Sequence, residues 1–255
     1  MMDHSAVKKI YNNVKHVEGW LEKEAMLILN ILNNVQAKNK INGNCFEIGV
    51  HHGKSSIFFS KLLNKNEQLD ICDIFENQSA NVSKSGHGNK TLFEKNFNTH
   101  GNNNLRNVHH CLSSNIAIDS LTKEYRLFHV DGGHHANEAL EDLEIAKKML
   151  VDGGLIIVDD PFREDWPGVT EAIVEFLNKN KEFTPIFCGF NKLIITQRTY
   201  SNLFLDVLRD EKVRKNNKFN KLFTKEEKLF CEDKMLVFKF KTMNWKRKLK
   251  YHLTH

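Results

Sequence analysis

The chain has 255 residues, of which 40% are hydrophobic and 27% charged, with a formal net charge of +5. That length holds one full α/β domain with extensions, and the balance is that of a soluble globular protein, not a disordered or fibrous one. No apolar run approaches membrane-spanning length and the polar N-terminus lacks a signal-peptide core, so no membrane span and a cytoplasmic location are expected.

Residues 1–40 read as an N-terminal helical segment. They run through Gly19-Trp20, which can fold over a ligand or, as the commoner reading, place Trp20 as an ordinary packing aromatic, into an amphipathic helix over Leu21–Lys40 with apolar residues at helical spacing. Next comes the stretch Asn44-Cys-Phe-Glu-Ile-Gly-Val-His-His-Gly-Lys-Ser-Ser56, which reads as strand, glycine turn, helix. Glycines at such a corner permit φ > 0 or the close approach of a ligand, and the free N–H groups of the helix start face the turn. Leu69–Phe75 is a second strand with Asp73 near its C-terminal end, where a carboxylate can accept from both ribose hydroxyls of a nucleotide. The polar region Glu76–Asn104, interrupted by a helical patch at Thr91–Phe97, is long enough to form a lid. Strand three is expected at Leu105–Leu112, ending in Ser113 and Ser114, with a short helix over Asn115–Lys123.

Arg126–Asp131 is strand four and runs into Asp131-Gly-Gly-His134-His135; a helix follows at Asn137–Leu150, with Glu138, Glu141 and Asp142 placed near its positive end. Strand five, Leu155–Val158, closes on Asp159-Asp160-Pro161, and Pro167 suits the start of the helix Gly168–Asn178. Phe183–Cys188 and Lys192–Gln197 are joined by a link short enough for an antiparallel hairpin. The core thus spans 41–197. Residues 198–255 form a basic C-terminal extension with helical pieces and a strand-like Met235–Phe240; its cluster Lys246–Lys250 reads as a solvated run, with no nucleic acid expected. Five scattered cysteines without a C-x-x-C fit buried free thiols in a reducing compartment.

Two constellations carry chemistry. The first is the glycine corner with Asp73. The second gathers Asp131, Asp159, Asp160 and His134 at two adjacent strand ends. Three ionised carboxylates so close need a cation, raised pKa values or separation by direction, and an oxygen-rich site suits Mg²⁺ or another hard divalent ion. An imidazole beside it can take a proton near neutral pH.

His129-Val-Asp-Gly-Gly-His-His135, followed by a helix and Gly153-Gly-Leu-Ile-Ile-Val-Asp-Asp160, resembles the class I S-adenosylmethionine-dependent methyltransferases, in the family related to the macrolide-sugar and catechol O-methyltransferases. The corner Glu47-Ile-Gly49-Val-His51-His-Gly53 is similar to their first motif. The resemblance covers roughly residues 17–197. It implies a Rossmann-like, mostly parallel seven-stranded sheet in the order 3-2-1-4-5-7-6 with helices on both faces. It implies cofactor contacts from Glu47, Gly49, His51, Gly53, Ser55, Asp73, Ser114 and Asp131, a divalent metal on Asp131, Asp159 and Asp160, and His134 with Asp131 as the catalytic pair. The expected reaction is methyl transfer from S-adenosyl-L-methionine to a hydroxyl of a sugar, glycan or other small diol. A homo-oligomer is left open. The rivals are a phosphate-loop NTPase and a non-catalytic binding module. The first suffers because three residues, not four, separate Gly49 from Gly53 before Lys54-Ser55. A dinucleotide dehydrogenase is weaker, since G-x-G-x-x-G is absent.

Overall fold

Alternation of large apolar side chains along the strands builds two cores, one on each face of a single sheet. The computed structural model describes residues 2–116, 124–216 and 223–240. The elements run α1 (His4–Val14), α2 (Lys23–Lys38), β1 (Asn44–Ile48), α3 (Lys54–Leu62), β2 (Leu69–Cys72), α4 (Lys90–His100), β3 (Leu105–His109), β4 (Tyr125–Val130), α5 (Ala136–Met149), β5 (Leu150–Asp159), α6 (Pro167–Lys179), β6 (Phe183–Gly189), β7 (Lys192–Gln197), α7 (Ser201–Arg209), α8 (Glu211–Asn216), β8 (Phe223–Phe230) and β9 (Asp233–Phe240). The strand order is β3-β2-β1-β4-β5-β7-β6-β9-β8. The expected seven-strand order is therefore present, extended at the β6 edge by a C-terminal hairpin. β1 pairs in parallel with β2 and β4, and β4 with β5, whereas β7 runs antiparallel to both β5 and β6.

Leu127, Leu155, Ile157 and Ile194 face α1, α2, α3 and α7, while Phe128, Val130, Ile156, Val158 and Ile195 face α5 and α6. The order of succession of the strands reverses between β1 and β4, which run parallel, so the crevice beyond their carboxyl ends is where an open α/β sheet binds ligands. The β6–β7 turn has Phe190 at φ 54° and Asn191 at φ 58°. Two left-handed residues match the twist of a tight hairpin.

Several expectations change. α2 is not half-exposed: Glu24, Asn30, Asn33 and Gln36 are buried with its apolar residues, and α1 and α7 pack over it. The basic extension contributes α7 and α8 and then β8 and β9; β9 lies parallel to β6 through Phe187↔Leu236 and Cys188↔Val237. Strand five begins five residues earlier than read, at Leu150. Most of the expected helix Asn115–Lys123 and all of the cluster Lys246–Lys250 lie outside the described residues. All five cysteines are free; Cys45 and Cys72 are buried and the others half-buried. No helix among the described residues is long and apolar enough to cross a membrane.

Candidate active site

A cleft of about 590 Å³ opens at the carboxyl ends of β1, β2, β4 and β5. Its floor is the glycine corner. Gly49 has φ +79°, and a Cβ there would lie 1.8 Å from the Asp131 carbonyl oxygen. The close pairing of β1 with the end of β4 therefore demands glycine. Gly53, at φ +90°, starts α3, and its missing side chain makes room for the Phe93 ring, not for a ligand. Asp73 fixes the corner from β2: one oxygen accepts from the Val50 and His51 N–H groups at 2.6 and 2.9 Å, and the other accepts from Phe75 N–H. Three of its roughly four acceptor positions are thus spent on backbone. His51 and Ser55 line the cleft, and so does Ser114, on the short turn after β3. Burial first, and then the stacked His52 ring 3.9 Å away, hold the His51 imidazole below its ordinary pKa. Trp20 comes within 5.2 Å of His51, and the Lys54 ammonium reaches back 2.5 Å to the Gly19 carbonyl. Lys54 is therefore a tether for the Gly19-Trp20 segment, not a phosphate ligand.

Glu47 does not reach the cleft. It is wholly buried beneath it, accepts from the Ser56 hydroxyl, and holds Nδ1–H of His129 at 3.0 Å. The strand register explains this, because Glu47 stands opposite His129 on the α3 side of the sheet. Its partner takes the place expected of it: His129 lines the cleft, is 1% exposed, and its Nε2 meets no hydrogen-bond partner among the described residues. With Nδ1–H given to Glu47, Nε2 is a bare acceptor.

At the other rim, the sequence-predicted residues converge. His134 Nε2 lies 2.9 Å from Asp160 Oδ2, and its Nδ1 lies 2.9 Å from the Ser85 hydroxyl. An ionised Asp160 can only accept, so Nε2 carries the proton and Nδ1 faces Ser85 as the acceptor. The Trp166 ring packs 4.5 Å from the His134 ring. Ser85 belongs to the polar region after β2, whose Asn81 side chain donates to the carbonyls of Ser85 and Gly86 and folds that loop across the cleft. Asp160 itself sits at φ 55°, a conformation costly for a non-glycine residue and common at functional sites. Its burial would raise the carboxyl pKa, but hydrogen bonds from His134 and Asn191, with the Arg163 charge, hold it well below the ordinary range.

The carboxylates are already furnished with donors. Asp159 Oδ1 accepts from Asp160 N–H at 2.9 Å and from the Asn191 amide at 2.8 Å, and Oδ2 pairs with the Lys192 ammonium. Asp160 Oδ1 accepts from Arg163 at 3.0 Å and from Asn191 at 2.7 Å. Burial and the Asp159 charge raise the Asp131 pKa well above the carboxylate range, and a hydrogen bond to Asp159 adds to this. Lys192 is 2% exposed, and its pKa is raised despite burial because Asp159 and Asp131 face it. Ligand atoms of His129, Asp131 and Asp159, and of Asp131, His134 and Asp160, lie within 4.8 Å of one another, but the partners these carboxylates already have compete with the divalent ion expected on Asp131, Asp159 and Asp160. Both oxygens of both aspartates after β5 are hydrogen-bonded or ion-paired within the chain. A dication would also stand beside a fixed ammonium, a repulsion of several kcal/mol even at an effective dielectric near ~20.

Sequence reasoning missed Lys192, Asn191 and Arg163 as site residues. Asn191 and Lys192 were legible only as a hairpin turn, and it is the Asp159↔Lys192 cross-strand pair that carries them to the rim.

Residues 46–161 match the family model described as Methyltransferase domain. Among solved structures, the chain is similar to the O-methyltransferase NovP, at 16% identity over 68% of this chain and 80% of that one, with a TM-score of 0.56. It is also similar to an O-methyltransferase from Bacillus cereus in complex with SAH, at 15% identity over 75% and 89%, with a TM-score of 0.52. No curated protein sequence matches it. At these identities the structural likeness establishes the fold, and the family match covers the strands that build the cleft. On both grounds the cleft-bearing core is similar to a methyltransferase domain and shares the fold of these O-methyltransferases.

Proposed function

We propose that the chain methylates a hydroxyl of a small acceptor, a sugar or another diol, with His134 as the base. The observation that carries this is the string Asp160–His134–Ser85. Asp160 fixes the tautomer, and Nδ1 meets a hydroxyl at 2.9 Å inside the cleft. An acceptor hydroxyl that displaces Ser85 Oγ meets the same lone pair and loses its proton to it. The loop that brings Ser85 there is then a cover over the reacting centre.

The cleft suits the cofactor chemically. S-adenosylmethionine carries a sulfonium and an ammonium group, and Asp73, Asp131, Glu138 and Glu141 line the cleft with acidic or acceptor oxygens. When bound, the cofactor supplies an electrophilic methyl carbon. The Gly49–His51 backbone, Ser55, Ser114 and the remaining acceptor position of Asp73 are the groups we assign to holding it, with Gly19-Trp20 folded alongside. Glu47 acts beneath the site by orienting His129. The chain's main contribution is alignment of the acceptor oxygen with the methyl group. For the acceptor, Trp166 offers an apolar face beside the base, while Arg163 and Asn191 offer donors, a combination suited to a ring that bears hydroxyls.

The test compares wild type with His134→Ala. Calorimetric titration with S-adenosylhomocysteine should show binding to both within about threefold, or less than 1 kcal/mol. Transfer of labelled methyl to a panel of sugars and diols should occur only with wild type. Full turnover by the variant removes His134 from the mechanism.

A further inference from the structure

We propose that the Lys192 ammonium is the resident cation of this site, holding Asp159 and Asp131 together in the position where a divalent metal was expected. Lys192 opens β7 directly across from Asp159 in the antiparallel β5–β7 ladder. Residues so paired have neighbouring Cβ atoms, and their side chains share one face of the sheet. The ammonium is therefore delivered to the carboxylate by the sheet itself, with no loop needed to place it. It is buried, lines the cleft and pairs with Asp159 Oδ2. The Val130↔Val158 pairing sets Asp131 beside Asp159 one residue further along, so the same charge faces both.

The turn just before Lys192 supplies a second donor. Asn191 divides its amide protons between Asp159 Oδ1 and Asp160 Oδ1, the oxygens that would otherwise bridge to an ion. Arg163 takes the remaining charge of Asp160. A buried lysine needs counter-charges, and buried carboxylates need cations. This cluster meets both requirements with covalently attached groups, so its geometry does not depend on metal supply. For its bearing on methyl transfer the proposal rests on the reading above; the ion pair itself does not.

The experiment titrates Mn²⁺ into EDTA-treated protein and follows the free-ion signal by electron paramagnetic resonance. Calorimetric titration with S-adenosylhomocysteine is run on the same samples. Wild type should take up no stoichiometric Mn²⁺. Lys192→Met keeps most of the stem volume and removes the charge, so it should gain at least about tenfold in Mn²⁺ affinity. Adding Asp159→Asn should abolish that gain. Uptake of one equivalent by wild type overturns the proposal. So does a Lys192→Met variant that binds the cofactor product yet gains no Mn²⁺ affinity. Should Lys192→Met fail to fold, the wild-type titration still decides. Failure of wild type to bind S-adenosylhomocysteine, with the Mn²⁺ pattern as expected, would sink the methyltransferase reading and leave the lysine assignment standing.

Discussion

Gly49 and Asp142 are the positions where a single atom decides the most. At Gly49 the Asp131 carbonyl oxygen fills the space of a Cβ, and the backbone is left-handed as well. Gly86 is also left-handed, at φ +59°, but its Cβ would meet only the His51 ring at 3.6 Å, an ordinary contact. Gly86→Ala should therefore cost about 1 kcal/mol in a urea melt, the backbone term alone. Gly49→Ala should cost several-fold more and abolish S-adenosylhomocysteine binding, because β1 and β4 must separate. Asp142 was expected to act near the positive end of α5, where the helix dipole favours an acid. It is instead on the buried side of the helix, 1% exposed, with neither oxygen in a regular hydrogen bond. Burial, partly offset by Ser113, pushes its carboxyl up to about 7 from 3.8. Below 3.8 both folded and unfolded chains carry the proton. Between those values only the folded chain keeps it, so stability falls as pH rises, by on the order of 4 kcal/mol once the carboxyl ionises. Asp142→Asn should flatten this part of the stability–pH curve and raise the melting temperature at mildly alkaline pH by roughly 5–10 °C. An unchanged pH dependence would assign the loss to other groups.

Elements were easier to read than their register. The strand, corner and helix at 44–62, the carboxyl-end positions of Asp73, Asp131, Asp159 and Asp160, and the β6–β7 hairpin follow from apolar runs and turn residues, which are local signals. What lies opposite what is not local. Glu47 was expected at the cofactor because the Glu47–Gly53 corner resembles a family motif, and only the pairing with His129 places it beneath the cleft. Arg126 is a sharper case. Asn44 pairs with Tyr125 and Cys45 with Leu127, so Arg126 is the extra residue of a bulge. The bulge turns its side chain toward α2, where it is 2% exposed. It donates to both oxygens of Glu67, to Asn33 and Gln36, and to the Leu62 carbonyl. Period-two alternation along β4 could not reveal this, because the bulge breaks the alternation. The hub joins α2, the end of α3 and the approach to β2. Arg126→Met should cost about 3–5 kcal/mol, since it leaves Glu67 buried without its partner. Arg126→Met combined with Glu67→Gln should recover a large part of that cost. Simple additivity of the two variants in denaturant melts would mean that the pair is not coupled.

At the scale of the molecule, the sheet runs without interruption from β3 to β8, and the C-terminal residues complete it. Their Lys- and Phe-rich composition hid this, since β8 alternates charge with little apolar pattern and takes its register from β9 alone. β9 in turn meets β6 through only two registered pairs. Backbone pairing is therefore a small part of the join, and packing must supply the rest. Leu236 is 1% exposed and Phe238 4%, both in the core shared with Phe187, whose ring lies 5.4 Å from that of Phe238. Leu229, on the outer strand, is 71% exposed. If packing anchors the hairpin, Leu236→Ala should destabilise the whole protein by about 2–5 kcal/mol, as for any well-packed core leucine. Leu229→Ala should stay within about 0.5 kcal/mol. The cleft lies at β1, β4 and β5, with β7 and β6 between it and the hairpin. S-adenosylhomocysteine affinity measured below the unfolding transition should therefore be unchanged in both variants. Hydrogen exchange separates two forms of anchoring. Loss of protection confined to β8 and β9 in Leu236→Ala would make the hairpin an independently opening unit, whereas loss spreading through β6 and β7 would make it part of the cooperative core. Burial of Leu236 and Phe238 in the same cluster as Ile194 and Phe204 favours the second outcome.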